Sequence, residues 1–253
     1  MIKQAAALIL IRDSGKGLEV CMLRRVETSG FAAGAYVFPG GAVDEQDGFL
    51  ADKEVCIHAE NSDESLHVYK VAALRETLEE AGILAASMKA GEQISDASRH
   101  KLHQGEVSFE TLLRDNDAKI NLDEVVFYDH WITPEGAPKR FDTRFFISAA
   151  SSQHRIMHDN KETDSSCWTL PKDILALYEQ GDVKLMPVTH VQLKRLSKFD
   201  CVNEVLSLAA TCKTIPVTEP IMNRGQNGKP VSVTIHLIEG TVEYPVFQKR
   251  SKV

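Results

Sequence analysis

The chain has 253 residues, of which 43% are hydrophobic and 26% charged, so it contains enough apolar material for a core and is not disordered throughout. Its formal net charge of −7 argues against unspecific binding to nucleic acid or to an anionic membrane surface, since both require a basic face. The five cysteines are odd in number and form no Cys-x-x-Cys pair, which excludes an obvious disulfide framework or zinc site and favours a reducing compartment, the cytoplasm.

A β-hairpin is predicted at the start of the chain. The apolar runs AAALILIR (5–12) and LEVCMLRR (18–25) have strand length and are separated by DSGKG, a turn sequence with two glycines. The first run is too short for a membrane span or a signal peptide. GAYVFPGG (34–41) is predicted to be another short strand that ends in a Pro-Gly-Gly break. Residues 48–67 are polar and poorly periodic, and we interpret them as an inserted loop.

A helix with three carboxylates on one face is predicted over VAALRETLEEAGI (71–83). Its leucines and last alanine form an apolar stripe, and Glu76, Glu79 and Glu80 fall on the opposite face. Like charges at this spacing cost roughly 0.2 to 0.5 kcal/mol per pair, so the face is unfavourable unless a cation lies among the carboxylates. A hard divalent cation would fit. The alternative is a solvated surface helix in which Arg75 pairs with Glu79.

The rest of the chain is predicted to alternate between helices and strands and to end in an extension. The domain is expected to span residues 1–185, and residues 186–253 form a mainly helical extension that ends in a possible hairpin. The predicted segments are short helices in 94–116, strands in 124–134 and 139–150, a helix over 171–181 with proline at its start and glycine at its end, and the hairpin at 229–246.

The residues before and within the carboxylate helix resemble the Nudix box. Phe-Pro-Gly-Gly (38–41) is followed by Asp47, and then by Arg75-Glu76-x-x-Glu79-Glu80-x-Gly82 with an aliphatic residue after it. The chain departs from the family pattern at three points: Asp47 replaces a glutamate, Thr77 replaces an aliphatic residue, and 27 residues instead of seven separate Asp47 from Arg75. The extra length matches the predicted insert.

A branch of the Nudix hydrolase superfamily that resembles the mammalian peroxisomal coenzyme A diphosphatases carries such an insert. It also carries a Trp-x-Thr-Pro and Arg-Phe-Asp-Thr-x-Phe-Phe segment, which here spans residues 131–146. The resemblance implies an α/β (α+β) Nudix fold, in which a mixed β-sheet lies between helices and the box forms a loop-helix-loop. It covers about residues 1–185.

The resemblance also implies a metal site. In the family, the glutamates that match Glu76, Glu79 and Glu80 hold Mg²⁺ or Mn²⁺, and the backbone carbonyl of the glycine that matches Gly41 often adds a ligand. Arg75 is expected to orient a glutamate through a salt bridge. Divalent ions offset the charge of a diphosphate and lower the pKa of water, which explains why several carboxylates are needed.

The general base and the substrate-binding residues are predicted with alternatives. Glu79 is one candidate base and Glu162, on a later loop, is the other. Arg140 or Arg144 is expected to reach a phosphate, with a surface ion pair as the alternative for both. Arg25 is a further candidate phosphate ligand. Aromatic residues in 131–146 are interpreted as core rather than base-stacking residues.

The expected substrate is a small nucleoside diphosphate derivative, and no nucleic acid or membrane partner is expected. Coenzyme A or acyl-coenzyme A is favoured, because Gly34 and Phe-Pro-Gly-Gly match part of a coenzyme A pattern whose arginine position falls on Gly30. The alternatives are ADP-ribose, a dinucleotide or a nucleotide sugar. A non-catalytic nucleotide sensor is disfavoured, because all three box glutamates are present. The oligomeric state is open, with a homodimer as one alternative.

Overall fold

The computed structural model of the chain describes residues 1–30, 32–87, 94–212 and 214–245. Its strands are β1 (Lys3–Ser14), β2 (Gly17–Arg25), β3 (Ala35–Val37), β4 (Gly40–Ala42), β5 (Cys56–Ile57), β6 (Ile120–Asn121), β7 (Val126–Ile132), β8 (Phe141–Ala149), β9 (Thr163–Thr169), β10 (Lys184–Leu185), β11 (Val217–Thr218), β12 (Ile221–Arg224), β13 (Pro230–Leu237) and β14 (Gly240–Pro245). Its helices are α1 (Glu45–Ala51), α2 (His67–Ala81), α3 (Asp96–His103), α4 (Phe109–Asp115), α5 (Pro171–Gln180), α6 (Pro187–Leu196) and α7 (Val202–Thr211).

The main sheet is mixed and has nine strands in the described part of the chain. Its path runs β10-β3-β2-β1-β8-β7-β11, and β4 and β9 pair with β1 and β2 from outside this path. The central strand β1 is antiparallel to β2 and parallel to β8. Alternate residues of β1 enter two separate cores, one beneath α2 and one beneath α5, α6 and α7. A mixed sheet between helices is therefore confirmed.

Local signals in the sequence explain where two helices end. The last turn of α2 is closed by Gly82, whose φ of 71° lies in the left-handed region that glycine adopts at little cost. Helix α5 begins at Pro171 and ends before Gly181, as its sequence predicts. The first hairpin, β1 and β2, is also confirmed. Of these elements, strand β1 packs directly against the carboxylate helix α2.

The interpretation of residues 48–67 as a loop was wrong, whereas their being an insert stays a prediction. The segment contains the end of α1, the strand β5 and a single 3₁₀ turn. Strand β5 pairs in parallel with β6, where Cys56 is opposite Ile120. Leu50 and Val55 are buried in the core beneath α2. The pairing partner lies more than sixty residues further along the chain, so local composition gives no sign of it.

The segment after residue 185 packs against the main sheet. The predicted helices appear as α6 and α7, and the predicted hairpin as β13 and β14, to which β12 adds a third strand. Strand β11 pairs with β7 at the edge of the main sheet. The hydroxyl of Tyr244 lies 2.7 Å from Nδ1 of His190, which joins the small sheet to α6. The domain boundary at residue 185 stays a prediction.

The chain's cysteines and helices bear on two further expectations. All five cysteines are free thiols. In the described ranges, none of the helices combines the length and the apolar character that a bilayer crossing requires. The expected cytoplasmic location stays a prediction.

Candidate active site

The three box glutamates do not lie on a solvated face. Glu80 is only 3% exposed, and the side chains of Glu76 and Glu79 are mostly buried as well. The apolar stripe of α2 packs into the core as expected, but α1 and β4 cover the opposite face of the helix. The solvated face of that alternative is therefore wrong, although the Arg75–Glu79 pair that it included is present at 3.3 Å. A helical-wheel projection of the sequence shows which residues share one face of a helix, but it does not show which other elements cover that face.

Arg75 connects α2 to the two elements that cover it. Its guanidinium donates to both carboxylate oxygens of Asp47, at 2.8 and 2.9 Å, and to the carbonyl oxygen of Ala42 at 3.0 Å. The same group donates to Oε1 of Glu76 at 2.9 Å and to Oε1 of Glu79 at 3.3 Å. Burial by itself would lower the pKa of Arg75, but the hydrogen bonds to Asp47 and the neighbouring carboxylates raise it. Arg75 therefore stays charged and holds α1, β4 and α2 together.

The two glycines of the Pro-Gly-Gly turn touch the glutamates directly. The backbone N–H of Gly40 donates to Oε2 of Glu80 at 3.0 Å. A Cβ atom on Gly41 would lie 2.5 Å from the carboxylate carbon of Glu76, and one on Gly40 would lie 2.5 Å from the backbone oxygen of Ala6. A side chain at Gly40 would collide with the backbone of β1, and one at Gly41 would displace the Glu76 carboxylate, which explains why this turn has two glycines.

Burial and mutual repulsion destabilise the charged forms of the glutamates. Burial raises the pKa of Glu76 to about 7, with Arg75 opposing the shift and Glu79 adding to it. The pKa of Glu79 is also raised, chiefly by burial. That of Glu80 is raised well above its ordinary value by burial and by the nearby Glu76, although the Gly40 N–H opposes this.

These carboxylates supply only hard oxygen donors, which suit a divalent cation. In the described part of the chain, no group of three His, Cys, Asp or Glu side chains is already arranged to hold a metal ion. The hydrogen bonds explain this, because Glu76 and Glu79 turn toward Arg75 and Glu80 turns toward Gly40. Donor chemistry and the bare Gly41 fit a cation, and a bound cation would compete with Arg75 for these carboxylates.

A cleft of about 870 Å³ opens beside the glutamates. Arg25 and Glu162 both line it, and an Nη atom of Arg25 lies 3.4 Å from a carboxylate oxygen of Glu162. The charge on Glu162 contributes to the raised pKa of Glu80, so the two groups are neighbours. The charged residues that line the cleft are Lys3, Arg25, Glu76, Glu80, Lys139, Lys161 and Glu162. The structure thus brings together Glu76, Glu80, Gly41, Glu162 and Arg25 of the predicted site.

Arg140 and Arg144 are not among the residues that line this cleft. Arg140 forms an ion pair with Glu219 at 2.5 Å and donates to the Thr133 carbonyl. Arg144 pairs with Asp142 at 3.1 Å, and its guanidinium lies 3.9 Å from the centre of the Tyr69 ring. The alternative for both residues, an ion pair, is what the structure contains. Lys139 and Lys161 line the cleft instead.

Three residues that sequence reasoning missed lie behind the glutamates. Arg99 donates to the backbone carbonyls of Glu79 and Glu80, at 2.9 and 3.2 Å, at the carboxyl end of α2. His103 lies with Nδ1 3.8 Å from Glu79 and Nε2 3.9 Å from Asp159. Nδ1 of His103 is buried and has no hydrogen-bond partner among the described residues. The i, i+4 spacing of Arg99 and His103, which places both on one face of α3, was the available signal.

Asp159 in turn orders the loop that carries Glu162. Its carboxylate accepts hydrogen bonds from the backbone N–H groups of Lys161, Glu162 and Thr163, and from the Thr163 hydroxyl. These bonds lower the pKa of Asp159 against the opposing effect of burial. The carboxylate helix and the Glu162 loop therefore meet at His103.

A second cavity, of about 560 Å³, lies beside β9 and has none of the box glutamates in its wall. Arg12 and Trp168 line it, with the guanidinium 4.2 Å from the ring centre. Arg12 is already paired with Glu19 at 2.8 Å. Glu76, Glu80 and Glu162 line the larger cleft, which is therefore the candidate site.

Comparison with known proteins identifies the family of the chain. The model of the family described as the NUDT19 Nudix domain matches residues 58–196, more than half of the chain. A putative nudix hydrolase 7 from Caenorhabditis elegans is 29% identical over 198 residues, which are 78% of this chain and 61% of that protein. An acyl-coenzyme A diphosphatase NUDT19 from Xenopus laevis is 26% identical, over 74% of this chain and 62% of that protein. This chain therefore spans about three fifths of the length of either relative.

A solved structure is similar over most of the chain. It is a NUDIX hydrolase from Alicyclobacillus acidocaldarius, 28% identical, with a TM-score of 0.73. The match covers 82% of this chain and 96% of that one. The similarity therefore extends beyond the box to most of the fold.

Proposed function

The chain belongs to the NUDT19 Nudix domain family, and we propose that it hydrolyses the diphosphate linkage of a small nucleoside diphosphate derivative with the help of Mg²⁺ or Mn²⁺. One observation carries the proposal. Glu76, Glu80 and the bare backbone of Gly41 lie at a cleft that Glu162 and Arg25 also line. Its volume of about 870 Å³ is within the range of small-molecule sites, roughly 300 to 1,000 Å³.

The proposed metal ligands are Glu76, Glu79, Glu80 and the carbonyl oxygen of Gly41. When bound, the cation supplies positive charge that offsets the charge of the diphosphate oxygens and makes water more acidic. Arg75 keeps the glutamates in place through its bonds to α1 and β4. The Glu76 and Glu80 carboxylates, buried and mutually repelling, gain most from such a charge.

Glu162 is favoured over Glu79 as the general base. Glu162 lines the cleft and its side chain is half exposed, so it can contact water, whereas Glu79 does not line the cleft and accepts a hydrogen bond from Arg75. In the proposed step a water oxygen attacks one phosphorus, the bridging P–O bond breaks, and the water proton passes to the Glu162 carboxylate. Arg25, paired with Glu162, is positioned to neutralise a phosphate oxygen.

Coenzyme A or an acyl-coenzyme A is the preferred substrate, because one relative is named an acyl-coenzyme A diphosphatase and the cleft has a large apolar part. ADP-ribose, a dinucleotide and a nucleotide sugar are the alternatives. A non-catalytic nucleotide sensor is a second candidate function. It is disfavoured because the glutamates, the glycine turn and Arg75 are all present and hydrogen-bonded together.

The test is a substrate panel. Coenzyme A, octanoyl-coenzyme A, ADP-ribose, a diadenosine polyphosphate and a nucleotide sugar are each incubated with the protein and Mg²⁺ or Mn²⁺. Phosphomonoester release is then measured by phosphatase-coupled phosphate detection. We expect turnover of at least one of the coenzyme A compounds, and none with EDTA. Tight binding without turnover of any compound would favour the sensor function instead.

A further inference from the structure

The segment after residue 185 forms part of the wall of the proposed active-site cleft. Eight of the residues that line the cleft come from this segment, and none of them carries a charge. They are Met186, Pro187, Val188, Thr189, Pro220, Met222, Val233 and Pro245. The charged residues that line the cleft all precede residue 163. The cleft therefore has a charged part from the box and its neighbours, and an uncharged part from the C-terminal segment.

The register of the sheet separates the glutamates from the lining residues that follow β11. The other four, residues 186–189, follow β10, which pairs with β3 at the opposite end of the strand path. One row of paired residues crosses five strands, from β4 through β1, β8 and β7 to β11. The row is Ala42, Ala5, Thr143, Trp131 and Thr218, and the first four line the cleft. Neighbouring strands lie about 4.8 Å apart, so four steps from β4 to β11 span about 19 Å. A ligand that contacts both ends must be elongated.

The side chains along this row define the shape of the floor. Beside the glutamates the floor is made of glycine and alanine, which leave the backbone open to a ligand. Further along, Trp131, Phe141 and Phe145 supply aromatic surface, which Pro220, Met222 and Val233 continue. Such a wall offers few hydrogen-bond partners to sugars or phosphates. It favours a hydrocarbon group, and methionine adapts to chains of different shape.

We propose that the C-terminal wall, defined as the lining residues that follow β11 (Pro220, Met222, Val233 and Pro245), binds an apolar acyl chain at the end of the substrate farthest from the glutamates. The inference rests on the proposed function for the diphosphate end of the ligand. It makes the C-terminal segment a determinant of substrate specificity, because the wall takes part in binding the group that differs among acylated substrates. Each methylene group buried there is expected to tighten binding about fourfold.

Met222 and its neighbour Ile221 provide a matched pair of variants. Both lie in β12, and successive side chains of a strand point to opposite faces. Met222 lines the cleft and is half buried, whereas Ile221 is 53% exposed and does not line it. Met222→Glu places a charge in the wall, and Ile221→Glu places the same charge on the outer face. Met222→Ala removes apolar contact without adding charge and replaces Met222→Glu if that variant does not fold.

The experiment measures equilibrium binding, with EDTA present to prevent turnover. Coenzyme A and its acetyl, butanoyl and octanoyl thioesters are titrated calorimetrically into the wild type and each variant. For the wild type and Ile221→Glu we expect octanoyl-coenzyme A to bind more than about tenfold more tightly than butanoyl-coenzyme A, since four methylene groups are added. In Met222→Glu this preference should fall below about threefold. Met222→Ala should lose part of the preference.

Three outcomes would overturn the proposal: no chain-length preference in the wild type, an unchanged preference in Met222→Glu, or an equal loss in Ile221→Glu. Failure of the proposed function gives a different result. In that case the binding preference and its loss in Met222→Glu are both present, but no compound is hydrolysed when Mg²⁺ is supplied.

Discussion

Gly40 and Gly41 are adjacent, yet we expect substitution by alanine to lower stability at Gly40 and catalytic activity at Gly41. At Gly41 the new Cβ would lie 2.5 Å from the Glu76 carboxylate, which is the end of a flexible side chain. At Gly40 it would lie 2.5 Å from the backbone oxygen of Ala6 and 2.6 Å from Cα of Ala7. A side chain can turn away, whereas the backbone of β1 is fixed by its pairing with β4 and β8.

The magnitudes follow from these distances. Restoring an ordinary contact of 3.4 Å in Gly41→Ala requires the Glu76 carboxylate to move by about 0.9 Å. A displacement near 1 Å in a catalytic group can cost about 100-fold in rate. The free energy of unfolding should change by less than about 1 kcal/mol, since no backbone atom has to move. Gly40→Ala must instead separate β4 from β1, and overpacking of this kind costs about 1 to 3 kcal/mol or more.

Steady-state kinetics on the substrate found in the panel, together with urea unfolding, separate the two effects. Gly41→Ala is expected to lower kcat/KM about 100-fold at nearly unchanged stability, and Gly40→Ala to lower the urea midpoint. The reasoning about the turn fails if Gly41→Ala keeps wild-type activity. It also fails if Gly40→Ala is as stable as the wild type.

Three further predictions concern the groups around the glutamates. Because the pKa of Glu76 is raised from 4.5 to about 7, its contribution to the stability of the metal-free protein is complete below pH 4.5 and is lost as pH rises to about 7. With EDTA present, the difference in unfolding free energy between the wild type and Glu76→Gln should therefore fall by roughly 3 kcal/mol from pH 4.5 to pH 7. A difference that does not change with pH would contradict the burial argument. Arg75→Met leaves the buried Asp47 unpaired and should cost about 3 to 5 kcal/mol in urea unfolding. The exposed ion pair of Arg114 with Glu110 offers the control, since Arg114→Met should lower the free energy of unfolding by less than about 1 kcal/mol. Equal losses of unfolding free energy in Arg75→Met and Arg114→Met would refute the role of Arg75. His103→Ala should lower kcat about 10- to 100-fold. His103→Asn keeps a polar group near the position of Nδ1 and should recover part of that loss. Equal kcat values in both variants and the wild type would exclude a role for His103.

Elements with local signals were predictable from the sequence. The hairpin of β1 and β2 has a turn with two glycines between apolar runs, and α2 and α5 have glycine at their ends. The spacing of Arg75, Glu76, Glu79 and Glu80 identified the helix that carries the candidate site. In each case the determining residues lie within one element or one turn of it.

Features that depend on distant parts of the chain were not predictable. Arg140 was expected to reach a phosphate or to form a surface ion pair, and its partner Glu219, 79 residues away, could not be read from the sequence. His103 joins Glu79 to Asp159, and each lies on a different element or loop. The C-terminal wall exists because β11 joins the sheet beside β7, which no periodicity in either strand indicates. Tertiary pairing, rather than local propensity, decides these contacts.

The central claim, that the box glutamates are the centre of a metal-dependent diphosphate hydrolase, is tested most directly by the kinetics of Glu80→Gln with Mg²⁺. The glutamine amide oxygen can still accept the hydrogen bond from the Gly40 N–H, so the melting temperature should stay close to that of the wild type. We expect kcat to fall about 1,000-fold, equivalent to about 4 kcal/mol of transition-state stabilisation. A folded Glu80→Gln protein that hydrolyses the substrate within a few-fold of the wild-type rate would contradict the account.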